Sequence, residues 1–160
     1  MHVNTTIENI ELIGTLRLVT KDLNGNVLSD NVVDNNILLA IRVPIVKLLG
    51  GFNTPTNQLP IITAINFGSD NTAPTIYQTD LIAPVDGATK ALLSAPAFSQ
   101  DNLRATFAVV FGPTEFNGIT FKEAVLKTAT GVAVARTVIG SYTKSAGTYF
   151  EFYWTIGYSA

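Results

Sequence analysis

The stretch that most invites a chemical interpretation is GSDNT at residues 68–72, which follows an apolar segment. Loops of this composition often hold phosphate or metal ions, because small residues expose backbone amides and polar side chains supply oxygen ligands. The chain has no GxGxxG pattern and no GK pair before Ser or Thr, and no clear helix follows the loop. We therefore predict a connecting loop, in which Gly68 permits the turn and Pro74 stiffens it. Asp80 or Thr79 would cap the next element.

A second polar stretch, DLNGN at residues 22–26, imitates the start of a calcium-binding loop. That loop requires glycine at its sixth position and a bidentate acid at its twelfth, where this chain has Val27 and Val33. Asn and Gly instead accept the positive φ that tight turns need. We predict a hairpin turn at Asn24-Gly25-Asn26 and no metal site.

Acid–base chemistry has few candidates. His2 is the one histidine and has no neighbour with which to form a nucleophile–base pair, and cysteine is absent. Glycoside hydrolysis needs two carboxylates on facing elements, and the pairs to consider are Glu8 with Glu11 and Glu115 with Glu123. We interpret each as a solvated strand end or as the partner of a lysine such as Lys122. We predict no enzyme, no catalytic residue and no cofactor.

Aromatic residues are concentrated between residues 149 and 158, where they could form a platform for sugar stacking. Alternate residues of a strand face opposite sides. Phe150, Phe152 and Trp154 therefore form one row, which we assign to the core. Tyr149 and Tyr153 fall in the opposite row, so packing in a core or interface is favoured over a sugar site.

Composition limits the class of protein. The 160 residues suffice for one domain, and 47% of them are hydrophobic while 14% are charged. This low charge indicates that part of the surface meets another subunit, and we expect a homo-oligomer, for which a trimer is one candidate. The net charge of −2 and the scattered Lys and Arg argue against direct nucleic-acid binding.

Targeting signals are not evident in the sequence. Residues 48–69 are weakly charged, but polar residues and prolines interrupt them, so we expect no membrane-spanning helix. The first twelve residues lack a basic region followed by an apolar run, which predicts synthesis in a cytoplasm without a secretory signal.

One helix is predicted, in ILLAIRVPIVKLLGG at residues 37–51. Its apolar residues recur at helical spacing, at Leu38, Ile41, Ile45 and Leu48. Asp34-Asn35-Asn36 would cap its start and Gly50-Gly51 would end it. Pro44 should kink this helix or divide it.

The rest of the chain has the character of strands. Alternation at Leu16 and Leu18 predicts the hairpin around residues 24–26, and six later runs are rich in β-branched or aromatic residues: 61–67, 88–98 with a break at Ala95-Pro96, 103–111, 119–127, 132–139 and 148–158. Short strands at this spacing predict a mainly β fold, an antiparallel, jelly-roll-like sandwich. We expect one domain over residues 11–160. Residues 1–10 are polar and extended enough to form an arm onto a neighbouring subunit.

The order of these pieces resembles a widespread group of small virion proteins of tailed bacteriophages. In that group a strand ends in a phrase like FGTG, a Thr/Pro-rich loop follows, and a phrase like TDT comes next. The corresponding residues here are FGSD at 67–70, Pro74 and TDL at 79–81. The group's C-terminal half is matched by EAVL at 123–126, Gly131, ARTV at 135–138, YTK at 142–144 and YWTI at 153–156. Val125 stands where the group usually has glycine.

This resemblance implies a structural protein of a phage virion, made in the host bacterial cytoplasm and assembled with other virion proteins. A capsid decoration or cement protein on the head is the leading expectation, with the major capsid protein as partner. Two alternatives stay open, a tail or baseplate adaptor that anchors fibres, and a carbohydrate-binding module for host recognition. On the first reading, four arginines could pair with acidic capsid edges: Arg17, Arg42, Arg104 and Arg136.

Overall fold

The computed structural model describes residues 12–42, 61–101 and 103–158, which form two five-stranded antiparallel sheets. Sheet I has the order β2-β1-β10-β7-β6, and sheet II has the order β3-β9-β8-β4-β5. The strands are β1 Leu12–Lys21, β2 Val27–Asp34, β3 Asn36–Ile37, β4 Ile62–Gly68, β5 Pro84–Ala91, β6 Ala97–Phe98, β7 Arg104–Phe111, β8 Thr120–Thr128, β9 Ala133–Thr143 and β10 Tyr149–Tyr158. The predicted antiparallel sandwich is confirmed.

The hairpin between β1 and β2 shows why DLNGN is a turn. Gly25 has a φ of 84°, a conformation that side chains disfavour. The Asp22 Oδ1 atom accepts hydrogen bonds from the backbone amides of Asn24 and Asn26, each at 2.8 Å. Its Oδ2 atom accepts one from the Asn26 side chain. The acid of the apparent calcium motif thus stabilises the hairpin, as the turn prediction requires.

The core lies between the sheets and is centred on four phenylalanines. Phe67 of sheet II lies 4.5 Å from Phe152 and 4.7 Å from Phe111 between ring centroids, and Phe121 lies 5.7 Å from Phe67. Tilted and edge-to-face contacts of this kind contribute about 0.5–1.5 kcal/mol each beyond the buried area. Each ring comes from a different strand, so the cluster joins the two sheets.

The predicted helix is only partly described. Residues 39–42 are helical, and the remainder, including Pro44 and Gly50-Gly51, lies outside the described residues. The predicted caps are wrong, because Asp34 ends β2 and Asn36 belongs to β3. The backbone here is satisfied by strand partners, since the Leu38 amide donates to the Val134 carbonyl at 2.9 Å and the Thr137 hydroxyl donates to the Asp34 carbonyl at 2.6 Å.

The run at residues 88–98 is interrupted as predicted, but its first strand starts earlier, at Pro84. The interruption moves the chain from one sheet to the other. The Leu92 amide donates to the Thr63 carbonyl of β4 in sheet II, and the following Leu93 amide donates to the Ala108 carbonyl of β7 in sheet I. The change of sheet therefore occurs between two consecutive residues.

Candidate functional site

Residues 69–83 form the loop that connects β4 to β5, which are neighbours in sheet II. The loop lies against the outer face of that sheet, where Leu81 packs on a buried cluster of Leu38, Val125 and Ala133. Its ends are tied together, because the Ser69 amide donates to the Ala83 carbonyl at 2.8 Å. We treat this loop and the side chains beneath it as the candidate site.

Beneath the loop lies a buried ion pair between Glu123 of β8 and Arg136 of β9. Both side chains are 0% exposed. The Arg136 Nε atom donates to Glu123 Oε2 at 2.9 Å, and Nη2 lies 2.7 Å from the same oxygen. Removing two charges from water costs several kcal/mol per ion, so that such a pair persists only when further hydrogen bonds satisfy it.

The loop supplies those further hydrogen bonds. Glu123 accepts from the backbone amides of Ile82 at 3.1 Å and Ala83 at 2.8 Å. Arg136 Nη1 donates to the Thr72 carbonyl and to the Gln78 side chain, both at 3.0 Å. Glu123 therefore holds the end of the loop, and Arg136 holds its beginning and middle. We call Glu123 and Arg136 the loop clamp.

Gly68 lies next to the clamp, and its role differs from the predicted one. The residue is not among those with positive φ. A Cβ atom there would lie 2.3 Å from Glu123 Oε1 and 2.6 Å from the Ala83 carbonyl oxygen. Glycine is required because the clamp and the returning chain approach the backbone closely. The expectation that Gly68 is needed for the turn is replaced by this steric reason.

The acids of the loop are engaged within the protein. Asp70 Oδ1 accepts from the Thr72 amide at 2.6 Å, and hydrogen bonds from Thr72 lower the pKa of Asp70. Asp80 Oδ1 accepts from the Leu81 amide at 2.8 Å, and its Oδ2 lies 2.5 Å from Lys127 Nζ. Among the described residues, no group of three His, Cys, Asp or Glu could hold a metal ion.

The carboxylates predicted from the sequence have separate roles. The prediction that Glu123 is a solvated strand end or pairs with Lys122 is wrong, because Glu123 is buried against Arg136. Glu115 does pair with a lysine, Lys90, at 2.6 Å. Glu115 also accepts from the Gly112 amide, and the hydrogen bond from Lys90 first and then that amide lower its pKa. Glu8, Glu11 and His2 lie outside the described residues.

The arginines proposed to face a partner differ in availability. The prediction that Arg136 contacts a partner is wrong, because its side chain is completely buried in the loop clamp. Arg17 pairs with Asp30 through Nε at 2.8 Å and Nη2 at 2.5 Å. Arg42 donates from Nε to the Ile37 carbonyl at 3.1 Å. The signal for Arg136 was present in VAVARTVIG, where one base stands inside an apolar strand.

The aromatic rows of β10 are confirmed. Phe150, Phe152 and Trp154 are buried, whereas Tyr149 and Tyr153 are half-buried on the outer face of sheet I. The Tyr153 hydroxyl donates to Glu151 Oε2 at 2.8 Å, and burial first and then this hydrogen bond raise the pKa of Tyr153. The outer face of sheet I thus carries a polar aromatic group.

Comparisons with known proteins give no family. No protein-family model matches the chain, and no solved structure is significantly similar to it. Across residues 12–42, 61–101 and 103–158, no helix is long and apolar enough to cross a bilayer. The contacts of the candidate site are those of a buried ion pair that holds a loop in place.

Proposed function

We propose that this protein is a non-enzymatic structural component of a tailed-phage virion, most favourably a decoration protein that cements the head. The observation that carries the proposal is the location, in the structure, of the sequence phrases on which the resemblance rests. FGSD, TDL, EAVL and ARTV are separated along the chain, yet each contributes to the clamp or to the loop above it: Gly68, Asp80, Glu123 and Arg136.

A signature built from such residues describes how a scaffold is constructed. Gly68 gives the clamp room, Glu123 and Arg136 hold the loop, and Phe67 belongs to the aromatic core. The phrases behind the resemblance therefore build the scaffold. The residues on the surface are free to vary with the partner that the protein binds. This division suits proteins that assemble, because a rigid module loses little conformational entropy when it binds.

The mechanism proposed is stabilisation by mass action. A subunit that binds the expanded capsid lattice and no earlier form lowers the free energy of that lattice and bridges neighbouring capsomers. The loop held by the clamp presents Tyr77, which is largely exposed, and apolar side chains such as Leu93 and Phe98 are exposed elsewhere. Apolar groups of this size contribute to affinity when a partner covers them.

Binding to heads tests the proposal directly. The purified chain would be measured by multi-angle light scattering, alone and with expanded or unexpanded heads. We expect binding to expanded heads alone, and we expect particles that lack the protein to regain heat and osmotic resistance when it is added. A chain that ignores heads would overturn the decoration role. Labelled-antibody imaging of whole virions would then test the tail or baseplate alternative.

A second candidate function, sugar binding, is favoured by one observation. Tyr149 and Tyr153 lie on the outer face of sheet I with Glu151 between them. Lys21 of β1 is the cross-strand partner of Tyr149, and its Nζ donates to Glu151 at 2.9 Å. Aromatic faces beside charged hydrogen-bonding groups are suited to sugars. A glycan array with wild type and Tyr153→Ala tests this function. A hit that Tyr153→Ala abolishes would support it, and an array without hits would exclude those glycans.

A further inference from the structure

The edges of the two sheets are protected to different degrees. β3 and β6 are edge strands of two residues each, whereas β2 and β5 each have eight. β5 begins with a proline and contains Gly87 at a φ of 69°, both of which interrupt regular pairing. β2 contains neither proline nor glycine, and within the described part of the chain only β1 pairs with it.

Large apolar side chains are exposed along β2. Val27 is 58% exposed, Leu28 59% and Val32 61%. An edge strand with exposed apolar side chains is a template for pairing with another strand, because its outer amides and carbonyls have no partner among the described strands. Soluble proteins usually block such an edge with proline, lysine or a bulge. The irregularity of β2 is confined to its start, where Leu28 is the extra residue opposite Thr20 and Lys21, and residues 29–34 pair regularly with β1.

The sequence of β2 is self-complementary. Around Asp30 the order Val27-Leu28-Ser29-Asp30-Asn31-Val32-Val33 has the same residue classes in both directions. We propose that β2 pairs antiparallel with β2 of a second copy about a twofold axis at Asp30, joining two sheets I into one sheet of ten strands. Leu28 of one copy then lies opposite Val32 of the other, and Ser29 lies opposite Asn31.

The central position would be costly if the two acids were unpaired, since like charges directly opposite each other are destabilising. Arg17 removes that objection. Its guanidinium holds both oxygens of Asp30 within the same subunit, at 2.8 Å and 2.5 Å. The axis would therefore have two neutralised ion pairs side by side.

The second copy is favoured over a foreign strand because of the symmetry of the pattern. A twofold interface requires that if residue i meets residue j, then j meets i. β2 satisfies this at every position from Leu28 to Val32, with apolar opposite apolar and polar opposite polar. This geometry gives a dimer, in place of the trimer considered from the sequence, and it does not depend on the virion role.

Crosslinking at the axis tests the pairing. The chain contains no cysteine, so that Asp30→Cys introduces a single thiol. Directly opposed residues bring Cβ atoms to about 4.5–5.5 Å, which permits a disulfide after small adjustment. We expect mild oxidation to convert Asp30→Cys into a covalent dimer. The matched control is Asp86→Cys on β5, an exposed acid of the other long edge strand, which should stay uncrosslinked.

Disruption provides the complementary measurement. Val32→Glu places an acid opposite Arg17 of its own sheet, so the fold should tolerate it, but it adds negative charge across the axis. We expect light scattering and sedimentation to show a dimer for wild type and a dissociation constant raised more than about tenfold for Val32→Glu. Thr89→Glu on β5 is the control and should remain dimeric.

Two results would overturn the proposal. One is a wild-type monomer or trimer at the concentration where Asp30→Cys is oxidised. The other is equal crosslinking of Asp30→Cys and Asp86→Cys, which would indicate random collision. Because crosslinking uses a different position, a Val32→Glu variant that failed to fold would still leave the pairing testable.

Discussion

The two outer faces of the sandwich use the same chemical groups in different ways. On sheet II, Glu123 and Arg136 form an ion pair that a loop covers completely. On sheet I, Lys21 with Glu151 and Arg17 with Asp30 form ion pairs in partial contact with solvent. The first pair has backbone partners in the loop, whereas the others hold only neighbouring side chains.

This difference shows that burial, more than the identity of the charged groups, sets what an ion pair does. Exposed pairs gain modest Coulomb energy and are screened by salt. Breaking a buried pair leaves a charge without water or a partner, and the cost rises to several kcal/mol. Sheet II therefore depends on its charges for structure, and sheet I has charges and tyrosines that remain available to other molecules.

The largest expected effect is that of Glu123→Ala. This change leaves Arg136 buried without its acid and removes the acceptor of the Ile82 and Ala83 amides. We expect the free energy of unfolding to fall by about 3–5 kcal/mol. Urea denaturation measures the loss, and hydrogen exchange at those two amides shows whether the loop opens first.

Glu115→Ala is the matched control, because Glu115 also pairs with a base and accepts a backbone amide but is 39% exposed. A loss as large as that of Glu123→Ala would contradict the assigned importance of burial. A double variant, Glu123→Met with Arg136→Met, should recover part of the stability, since apolar side chains can replace a buried pair at little cost.

Gly68→Ala is expected to have the next largest effect. The added methyl group would lie 2.3 Å from Glu123 Oε1 and 2.6 Å from the Ala83 carbonyl oxygen. Neither neighbour can move away easily, because Glu123 is hydrogen-bonded to Arg136 and to the Ala83 amide. Overpacking of this kind costs about 1–3 kcal/mol. Thermal unfolding should show the loss. Gly112→Ala, whose Cβ would meet only Glu115 Oε2 at 3.5 Å, should unfold like wild type.

Much of the fold could be predicted because its signals are local. Alternation of apolar residues located most of the strands, and the period of two placed Phe152 in the core and Tyr153 outside. The Asn-Gly turn located the first hairpin. Each of these features depends on residues a few positions apart, and the strand register does not alter them.

The clamp could not be predicted because it depends on strand register. Glu123 and Arg136 are 13 positions apart, and the irregular pairing of β8 with β9 decides which residues share a face. Its loop contacts span greater separations, as from Arg136 to Thr72. The helix caps failed for a similar reason, since Asp34 and Asn36 found strand partners in distant segments.

A smaller effect, which depends on pH, is expected on sheet I. Burial opposes ionisation of Glu151, but hydrogen bonds from Lys21 and Tyr153 outweigh it and lower its pKa below the ordinary 4.5. The stability that this acid contributes is therefore fully present above pH 4.5 and is lost as the pH falls through the lowered value. Glu151→Gln should be less stable than wild type near pH 7, and the difference should shrink in acid. A constant difference across pH would contradict this assignment.

The smallest effect is expected on the covered face itself, at Asp80. Its carboxylate pairs with Lys127 at 2.5 Å but is 47% exposed, although it belongs to the same loop as the clamp contacts. Asp80→Asn keeps an oxygen for the Leu81 amide and removes only the charge. We expect a loss below about 1 kcal/mol in urea denaturation, decreasing with added salt. A loss near that of Glu123→Ala would mean that membership of the loop, and not burial, determines the importance of a charge.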